Sequence, residues 1–286
     1  MTPEDWTPAQ RIEFSYHQAI SNLMKQFLKI IEPMEISEPM HILDLLQAFN
    51  NTAWFTEMAY AAASRMVTML KMDGAKSWRE AASQSSKGRI IFNALKNEMH
   101  GPVGDTIRNL VHENAKLIST MPLNLAEQAT TFITEESQKG RRADDITQDL
   151  IKQFPHVSEV NIRRIARTEV SKASTALTQA RSQFIGAGWY TWQTSRDIRV
   201  RASHKFLGRD GGVLINWNNP PSPEELVGEK SYGAYHPGNT YNCRCFPMVL
   251  LDIDDIAWPH LVYFNGQVKT MTRHQFSLIA GMEEAA

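Results

Sequence analysis

The sequence predicts an α+β fold: a helical N-terminal region followed by a small, loop-rich mixed α/β module with short antiparallel strands. Apolar residues recur at three- and four-residue steps through most of the first 188 residues, as they do in amphipathic helices. After Gly188 the chain becomes rich in Gly, Pro and Asn, with short runs typical of strands. A chain of 286 residues that is 42% hydrophobic has room for two modest domains.

Helix boundaries in the first region follow from capping residues, glycines and prolines. The first helix is predicted to have Thr7 as its N-cap and Pro8 at its first position, and to end before Pro33. Further helices are predicted over residues 40–72, 77–99, 104–119, 122–138, 144–154 and 159–185. Gly or Pro residues mark the ends of most of these segments.

Three strands, a hairpin and a last helix are predicted in the second module. The stretches "WYTWQTS", "DIRVRASH" and "CRCFPMVLL" have the composition of short strands. In "LVYFNGQVKTM" the pair Asn265-Gly266 is typical of a type I′ turn between two strands. Thr272 is predicted to cap a helix that continues through Ile279.

The composition argues against membrane and secreted classes. No run approaches the roughly 18 apolar residues that cross a bilayer. The acidic N terminus lacks the basic and apolar regions of a secretory signal. We therefore expect that the protein does not associate with membranes. We also expect it to assemble inside a cell, where thiols stay reduced.

The net charge of −1 conceals a basic central segment. Residues 161–210 contain ten Lys and Arg against three Asp and Glu, whereas both flanking regions are mildly acidic. Such a segment can face phosphate groups or an acidic protein surface, or it can be a solvated helix face. The candidate nucleic-acid contacts are Arg163, Arg164, Arg199 and Arg201.

Both cysteines of the chain lie in the stretch "HPGNTYNCRC". Thiolate and imidazole groups are ligands that zinc prefers, and a small module with little apolar core gains folding energy from such an ion. The candidate zinc ligands are His204, His236, Cys243 and Cys245. Alternatively, the cysteines are buried small apolar residues and the histidines form structural hydrogen bonds. A disulfide within a C-x-C pair fits poorly with disulfide geometry.

Two further clusters contain charged residues. In "DIRVRASH" a strand would place Asp197, Arg199 and Arg201 on one face, where they would bind phosphate or pair with one another. In "IARTE" Arg167 and Glu169 lie mid-helix among apolar positions. An unpaired buried charge is costly, so we expect one of these two to pair with polar groups of the β module.

The order of these motifs resembles the C-terminal domain of the phage Mu protein F-like family, the minor head or head morphogenesis proteins of tailed phages. The similarity runs from "IARTE" through "GAGWYTWQTSRDIRVRASHKFLGRDG" to "HPGNTYNCRC". The family motif positions in this chain include Arg167, Glu169, Trp192, Asp197, Arg199, Arg201, His204, His236, Asn242, Cys243, Arg244 and Cys245. The resemblance implies a head morphogenesis domain at 140–251. It leaves a helical partner-docking region at 1–139 and a hairpin and helix at 252–286.

The resemblance implies a minor capsid protein of a tailed phage or prophage that acts in procapsid assembly and DNA packaging or delivery. The implied partners are the portal protein, the major capsid protein and packaged double-stranded DNA, bound without sequence preference. The implied location is the interior of the phage head, after assembly in the host cytoplasm, and no catalytic residues are implied. The alternative is a metal-dependent nuclease or another virion-associated enzyme, such as a zinc-dependent hydrolase, built on the His and Cys cluster.

Overall fold

The computed structural model describes residues 2–31 and 39–281 and confirms the predicted α+β class. Helices dominate the chain before Ala187, and a five-stranded sheet lies in the remainder. The α-helices of the described residues are α1 (Gln10–Ile31), α2 (Pro39–Asn50), α3 (Ala53–Gln84), α4 (Gly88–Asn97), α5 (Pro102–Gln138), α6 (Ala143–Phe184), α7 (Ala202–Leu207) and α8 (Arg273–Ala280). The strands are β1 (Trp189–Gln193), β2 (Leu214–Asn216), β3 (Phe246–Val249), β4 (His260–Phe264) and β5 (Gln267–Met271).

Residue contacts divide the chain into two compact units, each built from segments that are separate in sequence. The first unit contains Met1–Ala9, Leu70–Ile107 and Arg167–Ala286. The second unit contains Gln10–Met69 and Arg108–Ala166. The long helices α3, α5 and α6 therefore each contribute residues to both units.

Several helices have different ends from those that the sequence predicts. α3 continues past Gly74, α5 continues through Pro122, and α6 is one helix where the sequence predicts two. Conversely, the predicted helix over 40–72 is interrupted at residues 51–52. A Cβ at Gly74 would lie 2.7 Å from a guanidinium nitrogen of Arg181, so this glycine admits a close neighbour instead of ending α3.

The sheet is mixed, with the strand order β3-β1-β2-β4-β5. β2 and β4 run parallel, and the other neighbouring strands are antiparallel. β4 and β5 form the predicted hairpin, in which Asn265 and Gly266 have φ angles of 50° and 79°, as a type I′ turn requires. The predicted cap of α8 is also confirmed, because Thr272 Oγ1 accepts a hydrogen bond from the Gln275 N–H.

The predicted strand "DIRVRASH" is wrong. Residues 197–200 form a turn, and α7 follows directly after Arg201. Asp197 Oδ1 accepts a hydrogen bond from the Arg199 N–H at 2.8 Å, and this local contact competes with extended structure. Ile198, which a strand would direct into the core, is 93% exposed. Asp197, Arg199 and Arg201 therefore do not share a strand face.

Two apolar clusters in the first unit contain alternate residues of β1. Tyr190 and Trp192 belong to one cluster, together with Trp78 of α3 and both cysteines. Trp189 belongs to the other cluster, together with Phe276 of α8. Successive side chains of a strand point to opposite faces, so the two clusters cover opposite faces of the sheet. Both cysteines pack on the face that carries Trp192.

The second unit is helical. The sequence predicts one apolar stripe along the first helix, formed by Ile12, Tyr16, Ala19, Ile20, Leu23, Phe27 and Ile30. Of these residues, Ile12, Tyr16, Ile20 and Leu23 are buried. The Tyr16 hydroxyl donates a hydrogen bond to Asn114 Oδ1 of α5 at 3.0 Å. Phe27 and Ile30, the last predicted members of the stripe, fall outside the side chains that the structure describes. Across residues 2–31 and 39–281, no helix combines the length and the hydrophobicity that a membrane crossing needs.

Candidate metal centre

One histidine and the two cysteines converge in the core of the first unit. His204 Nδ1 lies 3.3 Å from Cys245 Sγ and 3.5 Å from Cys243 Sγ. The three potential ligand atoms all lie within 4.8 Å of one another. Each of the three residues is at most 4% exposed. Three of the four predicted ligands are therefore together in the folded chain.

His236, the fourth predicted ligand, lies outside this group of ligand atoms. Its Nδ1 is 2.9 Å from the Tyr190 hydroxyl, and its ring packs against Trp217. Burial lowers the pKa of His236 to about 4, so the imidazole is neutral at pH 7. Burial also raises the pKa of Tyr190, so that its hydroxyl stays protonated. His236 is a core histidine with a hydrogen-bond partner of its own.

Two polar contacts hold α7, and with it His204, against the cysteine segment. Arg201, which precedes α7, donates from Nη2 to the Tyr241 carbonyl at 2.8 Å. Arg244 donates from Nη1 to Asp197 Oδ2 at 2.8 Å. Arg244 separates the two cysteines in sequence, so this second contact fixes the C-x-C segment itself.

The cysteine segment is a tight turn that leads into β3. Asn242 has a φ angle of 54°, a left-handed conformation that Asn adopts more readily than most residues. The Cys243 N–H donates to the Thr240 carbonyl at 3.1 Å. The Cys245 N–H then donates to Cys243 Sγ at 3.4 Å. In "NCRC" the asparagine therefore suits the left-handed turn, and the two cysteines that follow supply the sulfur atoms.

A hydrogen-bond chain orients the His204 ring. The Tyr235 hydroxyl donates to Glu224 Oε1 at 2.6 Å and lies 2.9 Å from His204 Nε2. The Ser203 hydroxyl also donates to Glu224 Oε1, at 3.3 Å. Burial and the hydrogen bond to Glu224 raise the pKa of Tyr235. The hydroxyl therefore stays protonated, and its single proton is already committed to Glu224.

The two thiols differ in proton affinity. The hydrogen bond from Cys245 lowers the pKa of Cys243, although burial acts in the opposite direction. The hydrogen bond with Cys243, together with burial, raises the pKa of Cys245. The indole N–H of Trp192 opposes that rise. A cysteine binds a metal ion as the thiolate, and the lowered pKa of Cys243 favours that form.

α6 contributes hydroxyl groups that fasten the loops around the cysteines. Thr168 Oγ1 accepts a hydrogen bond from the Asn242 N–H at 3.2 Å. The Ser171 hydroxyl donates to the Cys243 carbonyl at 2.9 Å. The Thr175 hydroxyl donates to a carbonyl of the "HPG" turn at 2.7 Å. These three positions are three and four residues apart and therefore share one face of the helix.

Arg167 and Glu169, the charged residues of "IARTE", lie on either side of Thr168 in sequence. Glu169 pairs with Lys172 of the same helix, with 2.9 Å between Oε1 and Nζ. Arg167 is half-buried. The sequence predicts that Arg167 or Glu169 pairs with polar groups of the β module, whereas the contact described at this motif comes from Thr168, which lies between the two charges.

The four candidate nucleic-acid contacts are divided between the units. Arg163 and Arg164 are exposed in the part of α6 that belongs to the second unit. Arg199 and Arg201 belong to the first unit. Arg199 Nη2 lies 3.3 Å from Asp197 Oδ2, and hydrogen bonds from the Arg199 backbone and side chain lower the pKa of Asp197.

Comparison with known proteins bears on the motif-carrying part of the chain. A family model described as "Phage Mu protein F like protein" matches residues 127–248. This range contains "IARTE", both predicted histidine ligands and "NCRC". Residues 127–248 are thus similar to the phage Mu protein F-like family. The predicted resemblance is therefore confirmed.

The Mu F-like segment is accompanied by a longer but weaker similarity to a curated protein. An "Uncharacterized protein" of Haemophilus influenzae strain Rd is 27% identical over 175 residues. The match covers 61% of this chain and 36% of the relative, so the chain spans about a third of the length of this curated relative. No solved structure matches the chain.

The Mu F-like segment contains site residues that sequence reasoning did not identify. Tyr235 and Glu224 lie in loops, where no periodic pattern marks them. Ser171 and Thr175 continue the helical face that begins at Thr168. The sequence signal for Ser171 and Thr175 is their helical spacing from Thr168, which lies in the "IARTE" motif.

Proposed function

We propose that this chain is a minor head protein of a tailed phage or prophage that acts in procapsid assembly and in DNA packaging or delivery. The match of residues 127–248 to the Mu F-like family carries this proposal. The structure supports it, because the family motif positions from Arg167 to Cys245 lie in one compact unit with a shared core. The protein acts through contacts with portal or major capsid subunits, inside the phage head.

The surface of the second unit supports a docking role. It exposes several large apolar side chains, among them Phe14, Trp54, Met58 and Tyr60. Trp54 and Met58 are four residues apart on α3 and therefore lie on the same face. Exposed apolar side chains that neighbour one another are typical of surfaces that contact other proteins. We assign this face to the portal or capsid contact.

The exposed arginines support proximity to packaged DNA. Arg163 and Arg164 carry positive charge on the surface of α6, and the Arg199 side chain is 67% exposed. Binding through phosphate contacts is independent of sequence, and log K falls by about 0.9 per contact for each log unit of salt. We expect the DNA binding of this chain to be sequence-independent and to weaken as salt rises.

Deletion of the gene from a phage or prophage that encodes this chain tests the assembly role. We expect fewer DNA-filled heads in electron micrographs of lysates, and restoration when the chain is supplied in trans. The Trp54→Ser, Met58→Ser double variant should restore fewer heads than Tyr232→Ser, which removes an exposed aromatic side chain from the first unit. Normal yields of infectious particles without the gene would contradict the proposal.

Affinity capture identifies the partner. Tagged portal and major capsid subunits are co-expressed separately with the chain, and we expect one of them to retain it. The Trp54→Ser, Met58→Ser variant should be retained less than the Tyr232→Ser control. Failure of both subunits to retain the wild-type chain would remove portal and capsid contacts from the proposal.

A metal-dependent nuclease or another zinc-dependent hydrolase is the alternative function. A site with three protein ligands favours it, because catalytic zinc sites keep a position for water whereas structural sites fill all four. Burial favours the assembly role, because a DNA phosphate does not reach residues that are at most 4% exposed. We expect no cleavage of single- or double-stranded DNA by zinc-loaded protein. Cleavage that disappears in His204→Ala would establish the nuclease.

A further inference from the structure

We propose that His204, Cys243 and Cys245 bind a single zinc ion, and that Tyr235 and Glu224 position the His204 ring for it. The ligands come from α7 and from the turn before β3, so the ion would fasten two segments that are about 40 residues apart in sequence. The inference concerns the first unit alone and stands whether or not the head-assembly role is correct.

The spacing of the ligand atoms matches a tetrahedral ion. Zinc binds sulfur at about 2.3 Å and nitrogen at about 2.0–2.1 Å, so a sulfur and a nitrogen ligand of one tetrahedral ion lie about 3.5 Å apart. The observed separations from His204 Nδ1 are 3.3 Å to Cys245 Sγ and 3.5 Å to Cys243 Sγ. Both nitrogen–sulfur separations therefore match edges of such a tetrahedron, and the two sulfurs lie within 4.8 Å of each other.

The protonation of His204 follows from its neighbours. The single Tyr235 hydroxyl proton goes to Glu224, so the Tyr235 oxygen accepts a hydrogen bond from His204 Nε2. The proton of the imidazole is then on Nε2, and the Nδ1 lone pair points toward the two sulfurs. Ligating histidines in metal sites are commonly held by a hydrogen bond from the second ring nitrogen in this way.

A zinc ion would engage both sulfurs and the imidazole nitrogen at once. Both sulfurs lie within 3.5 Å of His204 Nδ1. The buried Trp192 Nε1 lacks a conventional acceptor among the described residues, although its cluster contains Cys245. A zinc ion converts both thiols to thiolates and accepts the lone pair of Nδ1. The thiolate of Cys245 then serves as an acceptor for the indole N–H.

The donor set selects the class of metal. Thiolate with imidazole suits zinc and similar borderline-soft ions, whereas magnesium and calcium prefer oxygen ligands. His236 is not among the ligands, because its Nδ1 is engaged by Tyr190. A tetrahedral ion takes a fourth ligand, which we assign to a water molecule.

Metal analysis of the full chain tests the site. The protein is expressed with zinc and purified without chelator, and we expect about one zinc ion per chain by mass spectrometry. His204→Ala and the Cys243→Ser, Cys245→Ser double variant should lose the metal. His236→Asn is the matched control and should keep it. Loss of zinc in His236→Asn would overturn the three-residue ligand set.

The positioning role has its own test, which removes a hydroxyl group and keeps the aromatic ring. Tyr235→Phe removes one hydroxyl, and we expect zinc affinity, measured by competition with a chromophoric chelator, to fall by about 10- to 100-fold. Tyr232→Phe makes the same change at an exposed position and should leave the affinity unaltered. Equal affinities of the two variants would overturn the role of Tyr235 and Glu224.

The cysteine variants fail to fold if folding requires the ion. Cobalt substitution therefore tests the site in the wild-type chain. Co²⁺ at the site should show thiolate-to-metal absorption that zinc abolishes. X-ray absorption of the zinc form should show two sulfur and two nitrogen or oxygen ligands. A wild-type chain that contains no zinc after refolding with it, and that shows no thiolate-to-cobalt band, would overturn the proposal.

Discussion

Gly238 lies in the "HPG" turn at a position where any side chain would be strained. Its φ angle is 88°, in the left-handed region that favours glycine. A Cβ at this position would lie 2.9 Å from Thr175 Oγ1, 3.0 Å from the Ser171 carbonyl and 3.2 Å from the Cys245 carbonyl. The absence of a side chain therefore lets the turn approach α6 and the cysteine segment together.

Gly238→Ala should lower the free energy of unfolding by about 2–5 kcal/mol, because a positive φ costs about 1–2 kcal/mol and overpacking costs about 1–3 kcal/mol more. Gly228→Ala is the control, since its φ of 76° is similar but nothing lies within 4 Å of the added Cβ. We expect the control to lose about 1–2 kcal/mol in urea denaturation. Equal losses in the two variants would show that the close contacts at Gly238 are unimportant.

His236 should make the stability of the protein depend on pH. Its pKa is near 6.5 in an unfolded chain, and burial lowers it to about 4 in the folded chain. The unfolded state therefore binds more protons between these values, and stability falls as pH decreases from about 6.5 to 4. The loss attributable to His236 is at most about 3 kcal/mol, and none of it arises above pH 7.

The His236→Asn variant isolates this contribution, because the amide keeps an acceptor for Tyr190 without titrating in this range. We expect the free energy of unfolding, measured in urea from pH 4 to pH 8, to decline less steeply below pH 6.5 in the variant than in the wild type. Parallel profiles would mean that His236 is equally accessible to protons in both states.

At the scale of elements, α6 organises the candidate site through one polar face. Thr168, Ser171 and Thr175 each contact a loop residue between Pro237 and Cys243. An element that is helical for local reasons thus determines where an irregular loop lies. The loop in turn places the two sulfurs beside α7.

Thr175→Val tests that arrangement. The change keeps the shape of the side chain but leaves the Pro237 carbonyl without its hydroxyl donor, and we expect a loss of about 1–3 kcal/mol. Thr178→Val is the matched control, because the Thr178 hydroxyl bonds to the Ser174 carbonyl of its own helix. Calorimetry should show a much smaller decrease in melting temperature for the control. Similar decreases would assign the effect to helix propensity rather than to the loop contact.

At the scale of the whole molecule, chain order does not follow the compact units. The N-terminal Trp6 packs edge-on against Trp78 within the first unit, with ring centroids 5.2 Å apart. The residues between Ala9 and Leu70 belong to the second unit. Folding of the first unit therefore requires contacts between segments that are far apart in sequence, and the proposed zinc ion would join two of them.

Removal of zinc should lower the melting temperature of the whole chain. An ion at 1,000 times its dissociation constant stabilises the folded state by about 4 kcal/mol, which corresponds to roughly 10 °C for a protein of this size. We expect calorimetry to show this decrease after treatment with a chelator and its reversal by added zinc. The His204→Ala variant should be insensitive to both treatments. Identical melting of the wild type with and without chelator would contradict a stabilising ion.

The sequence by itself determined features that depend on neighbouring residues. Helical periodicity and the change in composition after Gly188 predicted the α+β class. The Asn265-Gly266 pair and the Thr272 cap predicted the hairpin and α8, because turn and cap geometry are set by a few adjacent residues. Motif order predicted a resemblance to the Mu F-like family over about residues 140–250, and the family model matches residues 127–248.

Only the tertiary structure decided which distant groups meet. The sequence favoured a helix end at Gly74, but α3 continues there and Arg181 packs close to the glycine. It also favoured a strand at Ile198, where a turn held by Asp197 forms instead. It named His204 and His236 equally, and only the folded chain places one beside the sulfurs and the other beside Tyr190. The physical reason is that burial and hydrogen bonding between separate segments depend on the whole packed core, which no local pattern encodes.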